Sequence, residues 1–472
     1  MAKLHPLGST GLRCHPLGFG CYRIVDGNAE HESALRRYLA KGGNLIDTSA
    51  NYGDGASEEL AGKVLAGLPR DRVIVVTKGG YIQGQNMALA EQHRFPEVVE
   101  YGAGIWHCIH PEFLATQIER SCRRMEQDYI DVYLLHNPEY FLEDIAHRRA
   151  LTTADHDEFY RRIREAFRFL QQKVADGVIG WYGVSSNNFG QPAFPAGGRC
   201  TTATSVARCW DEAEAVSPDH HFRVVQLPLN LYEPGGALEP NTSGQTLLQF
   251  CVNKGIGVLA NRPLNAFQSN QLVRLADWGP PGSAAPGVEQ LRQLLEPLCR
   301  LERAFELAMG QPISLETGET ISELFLRVVP QLRSVSQWQQ AAPHHIVEPI
   351  QAWLQGARQQ HGQDPVFEAW LEQFAARINP VLEAVQRQIA ARQQGLSDSI
   401  RARLLEAGYP PGMKSLSQMA LHVLTSLEGL SCVLVGMRRN EYVEDSMSVT
   451  AVESVDGLSI LGRFSSQSTL SS

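Results

Sequence analysis

Apolar residues in the first 267 positions of this chain fall into short runs that alternate with stretches of helical periodicity. Runs such as Val73–Thr77 are rich in β-branched residues, which is typical of strands buried on both faces of a parallel sheet. Eight strands separated by helical pattern predict an α/β fold, and they favour a closed (β/α)₈ TIM barrel over an open sheet. The strands are predicted at HPLGFGCY, NLID, VIVVT, YIDVYLLH, VIGWYGVSS, FRVVQLPLNL, GIGVLA and SCVLVG.

Residues 268–413 interrupt this alternation between strand seven and the final helix. Segments such as ISELFLRVV space their apolar residues three and four positions apart, which predicts amphipathic helices. We interpret the stretch as a helical subdomain inserted in a βα loop, with a module for oligomer or partner contact as the alternative. We therefore divide the chain into four parts. Residues 1–267 form strands one to seven of the barrel, and residues 268–413 form the helical insertion. Residues 414–463 close the barrel with the last helix and strand eight, and residues 464–472 form a Ser-rich disordered tail.

Three connections carry no periodic pattern and are interpreted as long loops that shape the substrate pocket: 79–110, 137–157 and 188–222. The aromatic residues Tyr22, Tyr81 and Trp106 indicate a pocket lined by aromatic rings. Such a lining suits sugars, aromatic compounds or quinones.

The charge, the apolar runs and the cysteine content indicate which classes of protein this chain can belong to. A formal net charge of -9 over 472 residues argues against nucleic acid as a partner. No apolar run reaches the ~18 residues that a membrane span requires, and the N-terminus lacks the apolar core of a signal peptide. Nine scattered cysteines without a C-x-x-C pair favour a reducing compartment, so we expect a cytoplasmic protein. The adjacent pairs His220-His221 and His344-His345 do not indicate a metal site, because neighbouring side chains point apart.

Four titratable side chains stand at or just past the ends of predicted strands. Asp47 ends strand two and Tyr52 follows it on a Gly-rich turn, whereas Lys78 and His136 end strands three and four. Catalytic groups of such barrels lie at the carboxyl ends of the strands, so we expect all four at one rim. An ammonium lowers the pKa of a nearby phenol from its usual value of about 10, which makes the phenol a usable general acid.

The other two side chains fit the same reaction. The Asp47 carboxylate would keep the Lys78 ammonium charged, and the His136 imidazole would orient a substrate oxygen. This set suits protonation of an oxygen while another atom receives a hydride. Since no protein side chain donates hydride, a nicotinamide cofactor is implied.

Dispersed motifs around these residues resemble those of the aldo-keto reductase superfamily. The resemblance implies a (β/α)₈ barrel that binds NADP(H) and reduces aldehydes and ketones. It also implies that Tyr52 is the general acid, Lys78 the residue that tunes its pKa, Asp47 the partner of the lysine, and His136 the residue that orients the carbonyl. The matching segments are LGFGCY, NLIDTSANYGDGASEELAGKVL, VIVVTKGG, YIDVYLLHNP, GVSSNNF, VVQLPLNL, PLNAF, SLSQMALHVL and VLVGMRRNEYVED.

The resemblance also implies a set of cofactor-binding residues. Ser185 and Gln226 match contacts to the nicotinamide carboxamide, whereas Gly436 and Arg438 match the segment that holds the adenosine phosphate end. Cys21 is either a reactive thiol beside the cofactor or a small packing residue. The full set is Gly20, Cys21, Tyr22, Ser185, Ser186, Gln226, Asn261, Arg262, Pro263, Leu264, Gly436, Arg438, Tyr442 and Asp445.

Three features depart from the family pattern. Asn261 stands where an aromatic residue usually stacks on the nicotinamide, and Arg262 beside it is a candidate contact of the pyrophosphate. Tyr442 and Asp445 replace the usual end of the adenine motif, but Arg439 and its neighbour keep positive charge for a 2′-phosphate, so NADP(H) is favoured over NAD(H). The insertion begins where the family has a short loop over the cofactor, so it could act as a lid, slow cofactor exchange or block ordinary substrates.

The leading hypothesis is an NADP(H)-dependent oxidoreductase that reduces a small-molecule aldehyde or ketone, or oxidises the corresponding alcohol. The alternative is a cofactor-binding regulatory or scaffold protein with an aldo-keto reductase barrel and little turnover. We expect neither a nucleic acid nor a membrane as a partner, and no metal.

Overall fold

Eight parallel strands form a closed barrel, which confirms the predicted fold class. The computed structural model describes residues 3–191, 200–268, 271–278, 288–332, 334–413 and 415–466. The strands follow one another around the barrel in chain order, and the fourth pairs with both the third and the fifth. They are Leu17–Gly20 (β1), Leu45–Asp47 (β2), Ile74–Gly79 (β3), Ile130–His136 (β4), Ile179–Ser185 (β5), Phe222–Pro228 (β6), Gly257–Asn261 (β7) and Cys432–Val435 (β8).

A helix follows each barrel strand, as the periodicity predicts. The helices are Ala29–Ala40 (α1), Ala56–Leu65 (α2), Pro111–Met125 (α3), Thr153–Ala175 (α4), Val206–Val216 (α5), Leu247–Lys254 (α6), Leu416–Thr425 (α7) and Asn440–Met447 (α8). A hairpin of His5–Pro6 and Arg13–Cys14 precedes β1. Its residues Leu7 and Cys14 share a buried apolar cluster with the barrel strands, which includes Leu45, Val76, Leu134, Val224, Leu259 and Leu434.

The strand register brings the carboxyl ends of the strands to one mouth of the barrel. Ser185 on β5 lies opposite both His136 on β4 and Gln226 on β6. Lys78 on β3 lies opposite Leu134, and Asp47 on β2 lies opposite Gly20 on β1. Side chains far apart in sequence therefore meet at this mouth.

The prediction that residues 79–110 form a loop without secondary structure was wrong. Strands Tyr81–Ile82, Val99–Gly102 and Ile105–His107 form an antiparallel sheet, and the helix Gln85–His93 lies between the first two. Strands of two to four residues are too short to give a readable alternation. The segment folds because it has its own buried cluster, which contains Ile82, Ala90, Phe95, Cys108 and Phe113.

The other two predicted loops also contain helices. Tyr140–Arg148 lies within 137–157, and α5 occupies Val206–Val216 within 188–222. A usable signal was present for α5, because Ser205 caps it by accepting a hydrogen bond from the amide of Arg208. Residues 192–199 lie outside the described part of the chain.

The predicted disordered tail, 464–472, was wrong for its first residues. The helix Gly457–Ser466 extends into it, because Phe464 is fully buried and packs edge-on against Tyr232. The remainder of that prediction, 467–472, falls outside the described residues.

A second compact unit comprises Ala276–Arg403 within the predicted insertion 268–413. The margins of that stretch group with the barrel instead, including the hairpin of Asn265–Gln268 and Gln271–Arg274. The second unit has its own core, in which rings of Phe305, Trp353, Phe367, Trp370 and Phe374 pack together. The predicted helices of the stretch are observed at Val288–Met309, Ile321–Val328, Val335–Ala342, Glu348–His361 and Pro365–Glu406.

No helix in the described part of the chain combines the length and apolar character required to cross a membrane.

Candidate active site

A left-handed turn places Tyr52 beside Asp47. Asp47 is the last residue of β2, and the chain reverses direction before α2 through three consecutive residues with positive φ: Gly53 (57°), Asp54 (55°) and Gly55 (100°). Two glycines accommodate this conformation without the steric cost of a side chain. The NYGDG sequence therefore aims the phenol of Tyr52 back towards the end of β3.

The Lys78 ammonium joins the carboxylate and the phenol. Its Nζ donates to Asp47 Oδ2 at 2.8 Å, to the carbonyl oxygen of Thr48 at 2.8 Å and to Tyr52 OH at 3.3 Å. Lys78 is fully buried and Asp47 is 4% exposed. Three acceptors thus match the three donors of an ammonium, which is the arrangement a buried lysine needs to stay charged.

Burial is the largest single influence on the pKa of Lys78 and of Tyr52, but it does not decide the net shift in both. It opposes the charge on Lys78, but Asp47 and then Tyr52 outweigh it and raise the pKa of Lys78. Burial also raises the pKa of Tyr52 to about 12, and Lys78 only partly offsets this. The sequence-based expectation that the ammonium leaves Tyr52 with a depressed pKa was therefore wrong for the net effect, although the ammonium acts in the expected direction.

His136 completes the group at the end of β4. Its ring centroid lies 5.9 Å from that of Tyr52, and its Nδ1 lies 3.0 Å from Ser49 Oγ. Burial, followed by the charge of Lys78, holds the pKa of His136 well below its usual value. The imidazole is therefore neutral at neutral pH. The Ser49 hydroxyl also lies 2.7 Å from Asn51 Oδ1. Because it has one proton, it donates a hydrogen bond either to that oxygen or to Nδ1 of the imidazole.

A chain of amides links Asp47 to the ends of β5, β6 and β7. Gln226 Nε2 donates to Asp47 Oδ1 at 2.7 Å. Gln226 Oε1 accepts from Ser185 Oγ and from Asn261 Nδ2, both at 3.2 Å. Ser186 lies outside this chain, since its hydroxyl donates to Thr204 Oγ1 at 3.2 Å. Gln226 thus contacts the Asp47 carboxylate directly, and Ser185 and Asn261 are joined to it through Gln226.

The end of β1 contributes three more of the predicted residues. Gly20 approaches Val435 of β8, where an added Cβ would lie 3.5 Å from its carbonyl group. Cys21 is fully buried, and burial raises the pKa of its thiol far above the usual range, which favours the packing interpretation over a reactive thiol. Tyr22 is 65% exposed and packs edge-on against Tyr52 at 5.1 Å between ring centroids.

Of the other two predicted pocket rings, only one lies at the site. The ring of Tyr81 lies 4.7 Å from that of His136, and its hydroxyl accepts from Asn137 Nδ2 at 2.7 Å. Trp106 instead pairs with Ile82 and packs on the buried cluster of the antiparallel sheet.

Arg262 is engaged by the protein itself. Its Nη2 lies 2.5 Å from Glu233 Oε1, and its guanidinium covers the ring of Phe267 at 4.9 Å. The ion pair weakens the case for Arg262 as a contact of the pyrophosphate, because an anion would compete with a carboxylate already in place. Pro263 and Leu264 follow it and lead into the hairpin, where Leu264 accepts a hydrogen bond from Leu275.

The segment after β8 has exposed residues at its start, and further on it has a residue that joins two helices. Gly436 is exposed, and Tyr442 lies 5.9 Å from the guanidinium of Arg439. Arg439 also pairs with Glu30 at 3.5 Å. Asp445 accepts hydrogen bonds from the start of α7, at Ser415, Ser417 and Gln418, so it joins α7 to α8.

Sequence reasoning missed two arginines near Arg438. Burial, followed by the charges of Arg23 and Arg438, lowers the pKa of Arg274, so each of those two arginines lies near enough to Arg274 to act on its charge. Arg274 lies on the hairpin after β7 and bonds Asn265 Oδ1 at 3.2 Å. Nothing in the sequence indicated this cluster, because it depends on the pairing of that hairpin. Ser49 and Glu233 were missed for the same kind of reason.

Comparison with known protein families identifies the family of this chain. The model of the Aldo/keto reductase family matches residues 16–272, which is more than half of the chain. The chain belongs to this family. In this aldo/keto reductase, the residues described above at the ends of β1 to β7 lie inside the matched segment. Those after β8 lie beyond residue 272, where the match ends.

The curated proteins that it matches share only part of their length with it. One is the NADH-specific methylglyoxal reductase of Escherichia coli (strain K12), 31% identical over 142 residues, which are 28% of this chain and 41% of that protein. Another is the L-galactose dehydrogenase of Arabidopsis thaliana, 31% identical over 145 residues, which are 29% of this chain and 39% of that protein. Among solved structures, the aldo-keto reductase AKR11C1 from Bacillus halodurans (holo form) is 14% identical with a TM-score of 0.48, covering 98% of this chain and 96% of that one.

Proposed function

We propose that this aldo/keto reductase reduces the carbonyl group of a small aldehyde or ketone, or oxidises the corresponding alcohol, with NADP(H) as its cofactor. The observation that carries the proposal is the Lys78 ammonium, which is buried between the Asp47 carboxylate and the Tyr52 phenol. When bound, the nicotinamide supplies or accepts the hydride, which no side chain can do.

Tyr52 is proposed as the general acid. Its pKa of about 12 keeps the phenol protonated at neutral pH, which is the state from which it can give a proton to a carbonyl oxygen. As the proton leaves, negative charge develops on the phenol oxygen, and the buried ammonium 3.3 Å away stabilises that charge. Lys78 therefore lowers the barrier to transfer even though it does not ionise Tyr52 beforehand.

His136 is proposed to orient the substrate oxygen. A neutral imidazole donates from one ring nitrogen only, and a bond from the Ser49 hydroxyl to Nδ1 would leave the proton on Nε2. The exposed ring of Tyr22 and the ring of Tyr81 flank Tyr52 and His136, so they are proposed to contact the body of the substrate.

The residues at β5 to β8 fit a nicotinamide dinucleotide. Ser185, Gln226 and Asn261 carry amide and hydroxyl groups of the kind that a carboxamide binds, and Asn261 Oδ1 is buried without a partner among the described residues. The guanidiniums of Arg274 and Arg438, with Arg23 nearby, fit phosphate groups. This positive cluster favours NADP(H), with NAD(H) as the alternative.

Replacing Tyr52 with phenylalanine tests the assignment. Tyr52→Phe removes the proton donor, so we expect the rate of NADPH oxidation with a panel of aldehydes and ketones to fall about 10³-fold. NADPH binding, followed by quenching of tryptophan fluorescence, should stay within twofold of wild type.

The control is the same chemical change at Tyr129, which packs against Arg70 next to the start of β4. Tyr129→Phe should leave both turnover and NADPH binding unchanged. Turnover by Tyr52→Phe close to that of wild type contradicts the proposed role.

A second function has one observation in its favour. The unit Ala276–Arg403 has a separate aromatic core, as a module for partner contact requires. A regulatory or scaffold protein would bind NADPH with normal affinity but turn over none of the carbonyl or alcohol substrates tested, and wild-type titration followed by the substrate panel separates the two functions.

A further inference from the structure

We propose that Asn261 recognises the carboxamide of the nicotinamide by accepting a hydrogen bond from its NH₂ group. This inference rests on the proposed function, and it assigns to the last residue of β7 a specific polar contact in place of ring stacking. It depends on the direction of each hydrogen bond in the chain of amides that starts at Asp47.

The direction of each bond follows from the carboxylate. Asp47 Oδ2 accepts from the Lys78 ammonium, and an ionised carboxylate has no proton to give. The Gln226 group 2.7 Å from Asp47 Oδ1 must therefore be the amino group of the amide. That assignment turns the Gln226 oxygen towards Ser185 and Asn261.

The same reasoning orients Asn261. The Gln226 oxygen can only accept, so the Asn261 group 3.2 Å away must be its amino group. The Ser185 hydroxyl, also at 3.2 Å, supplies the second bond to that oxygen. A carbonyl oxygen accepts two bonds well, so Gln226 has no further acceptor capacity to offer a ligand.

The remaining acceptor at this position is Asn261 Oδ1. It is shielded from solvent and has no hydrogen-bond partner in the part of the chain that the structure describes. Leaving such an oxygen unpaired is unfavourable, whereas a neutral N–H donor would satisfy it. The Asn261 side chain as a whole is partly exposed, so its amide lies at the edge of the site. The terminal torsion of asparagine is soft, which lets the oxygen turn towards a ligand.

The experiment compares two cofactors that differ only at the proposed donor. In 3-acetylpyridine adenine dinucleotide phosphate, a methyl group replaces the NH₂ of the carboxamide while the carbonyl is kept. We expect wild type to bind NADP⁺ about tenfold more tightly than this analogue, as measured by fluorescence titration. In Asn261→Ala the acceptor is gone, so the ratio of the two dissociation constants should fall to within twofold of one.

Two further variants keep the result interpretable. Asn261→Asp retains acceptor oxygens, and any repulsion of the phosphates affects both cofactors alike, so its ratio should stay near tenfold. Asn253→Ala makes the same truncation at an exposed position on α6, and its ratio should equal that of wild type. Far-UV circular dichroism checks that every variant is folded.

The outcomes separate this inference from the function on which it rests. Equal binding of the two cofactors by wild type, or a ratio that survives Asn261→Ala, overturns the role of Asn261 and leaves the reductase proposal standing. If wild type binds neither NADP⁺ nor NADPH, the proposed function fails and this inference fails with it.

Discussion

Two halves of the barrel mouth differ in how completely their polar atoms are satisfied. At the ends of β2 and β3, the Lys78 ammonium has an acceptor for each of its three protons, among them Asp47 and Tyr52. At the ends of β4 to β7, the buried oxygen Asn261 Oδ1 has no partner among the described residues. A preorganised half suits proton transfer, because its charges do not rearrange during the reaction. The half with a spare acceptor at Asn261 suits a ligand that brings its own donor.

The largest effect should come from removing the charge at the centre of the first half. In Lys78→Met the stabilising ammonium is lost, so we expect NADPH-dependent turnover to fall about 10³-fold. The buried Asp47 carboxylate also loses its partner, which should lower the free energy of unfolding by about 3 kcal/mol. Urea denaturation and NADPH oxidation measure the two effects separately.

The double variant Asp47→Asn/Lys78→Met is the control for this change. It removes the unpaired charge, so most of the stability should return while turnover stays low. If the double variant is as unstable as the single one, packing around Lys78 and not its charge holds this half together.

The same difference between the halves explains what could be read from the sequence. Asp47 and His136 are the last residues of their strands and Lys78 is the last but one of β3. The apolar runs of these strands are readable, so their meeting followed from barrel geometry. Arg274 comes near Arg438 only through a two-stranded hairpin, and the pairing of Arg262 with Glu233 depends on the shape of a loop. Periodicity carries no information on such contacts, since they are set by tertiary packing.

The pKa of Tyr52 shows a second limit of sequence reasoning. Whether this pKa is raised or lowered depends on the balance between burial and the Lys78 ammonium. The sequence indicates that Lys78 is a neighbour, but it does not indicate how deeply Tyr52 is buried. The missed sheet of residues 81–107 is a related case, because its strands are short and its core forms only once Phe95 and Phe113 meet.

A smaller effect should come from Glu139, which orders the loop after β5. Its Oε1 accepts from the amide of Asn187 at 2.7 Å, and burial raises its pKa to about 8. Between the unfolded value near 4.5 and this value, the unfolded state releases a proton that the folded state keeps. Stability from this group is therefore complete below about pH 4.5 and is lost as the pH rises through 8.

Glu139→Gln removes this titration. We expect the variant to unfold with a free energy about 1–3 kcal/mol higher than wild type at pH 8.5, and with no difference at pH 4.5, in urea denaturation at both values. Glu143→Gln is a matched control, because Glu143 also accepts from this loop, at Asn188 Nδ2 and 3.0 Å. An equal difference at both pH values for Glu139→Gln would mean that packing and not charge is responsible.

The smallest expected effect distinguishes two neighbouring arginines in the second half. Arg438 and Arg23 each lie near Arg274, and Arg438 forms no ion pair within the described ranges. Arg439 is exposed and already paired with Glu30 at 3.5 Å. If the cluster binds the 2′-phosphate, Arg438→Ala should weaken NADPH binding about tenfold and leave NADH binding unchanged, because only NADPH carries that group.

Arg439→Ala is the adjacent control and should change neither dissociation constant by more than about twofold, since exposed ion pairs contribute little. The tenfold effect at Arg438 should shrink in 0.5 M salt, where charges separated by more than a few ångströms are screened. Equal weakening of NADPH and NADH by Arg438→Ala would assign this arginine to the pyrophosphate, which both cofactors share. The preference for NADP(H) would then have to come from a different part of the second half.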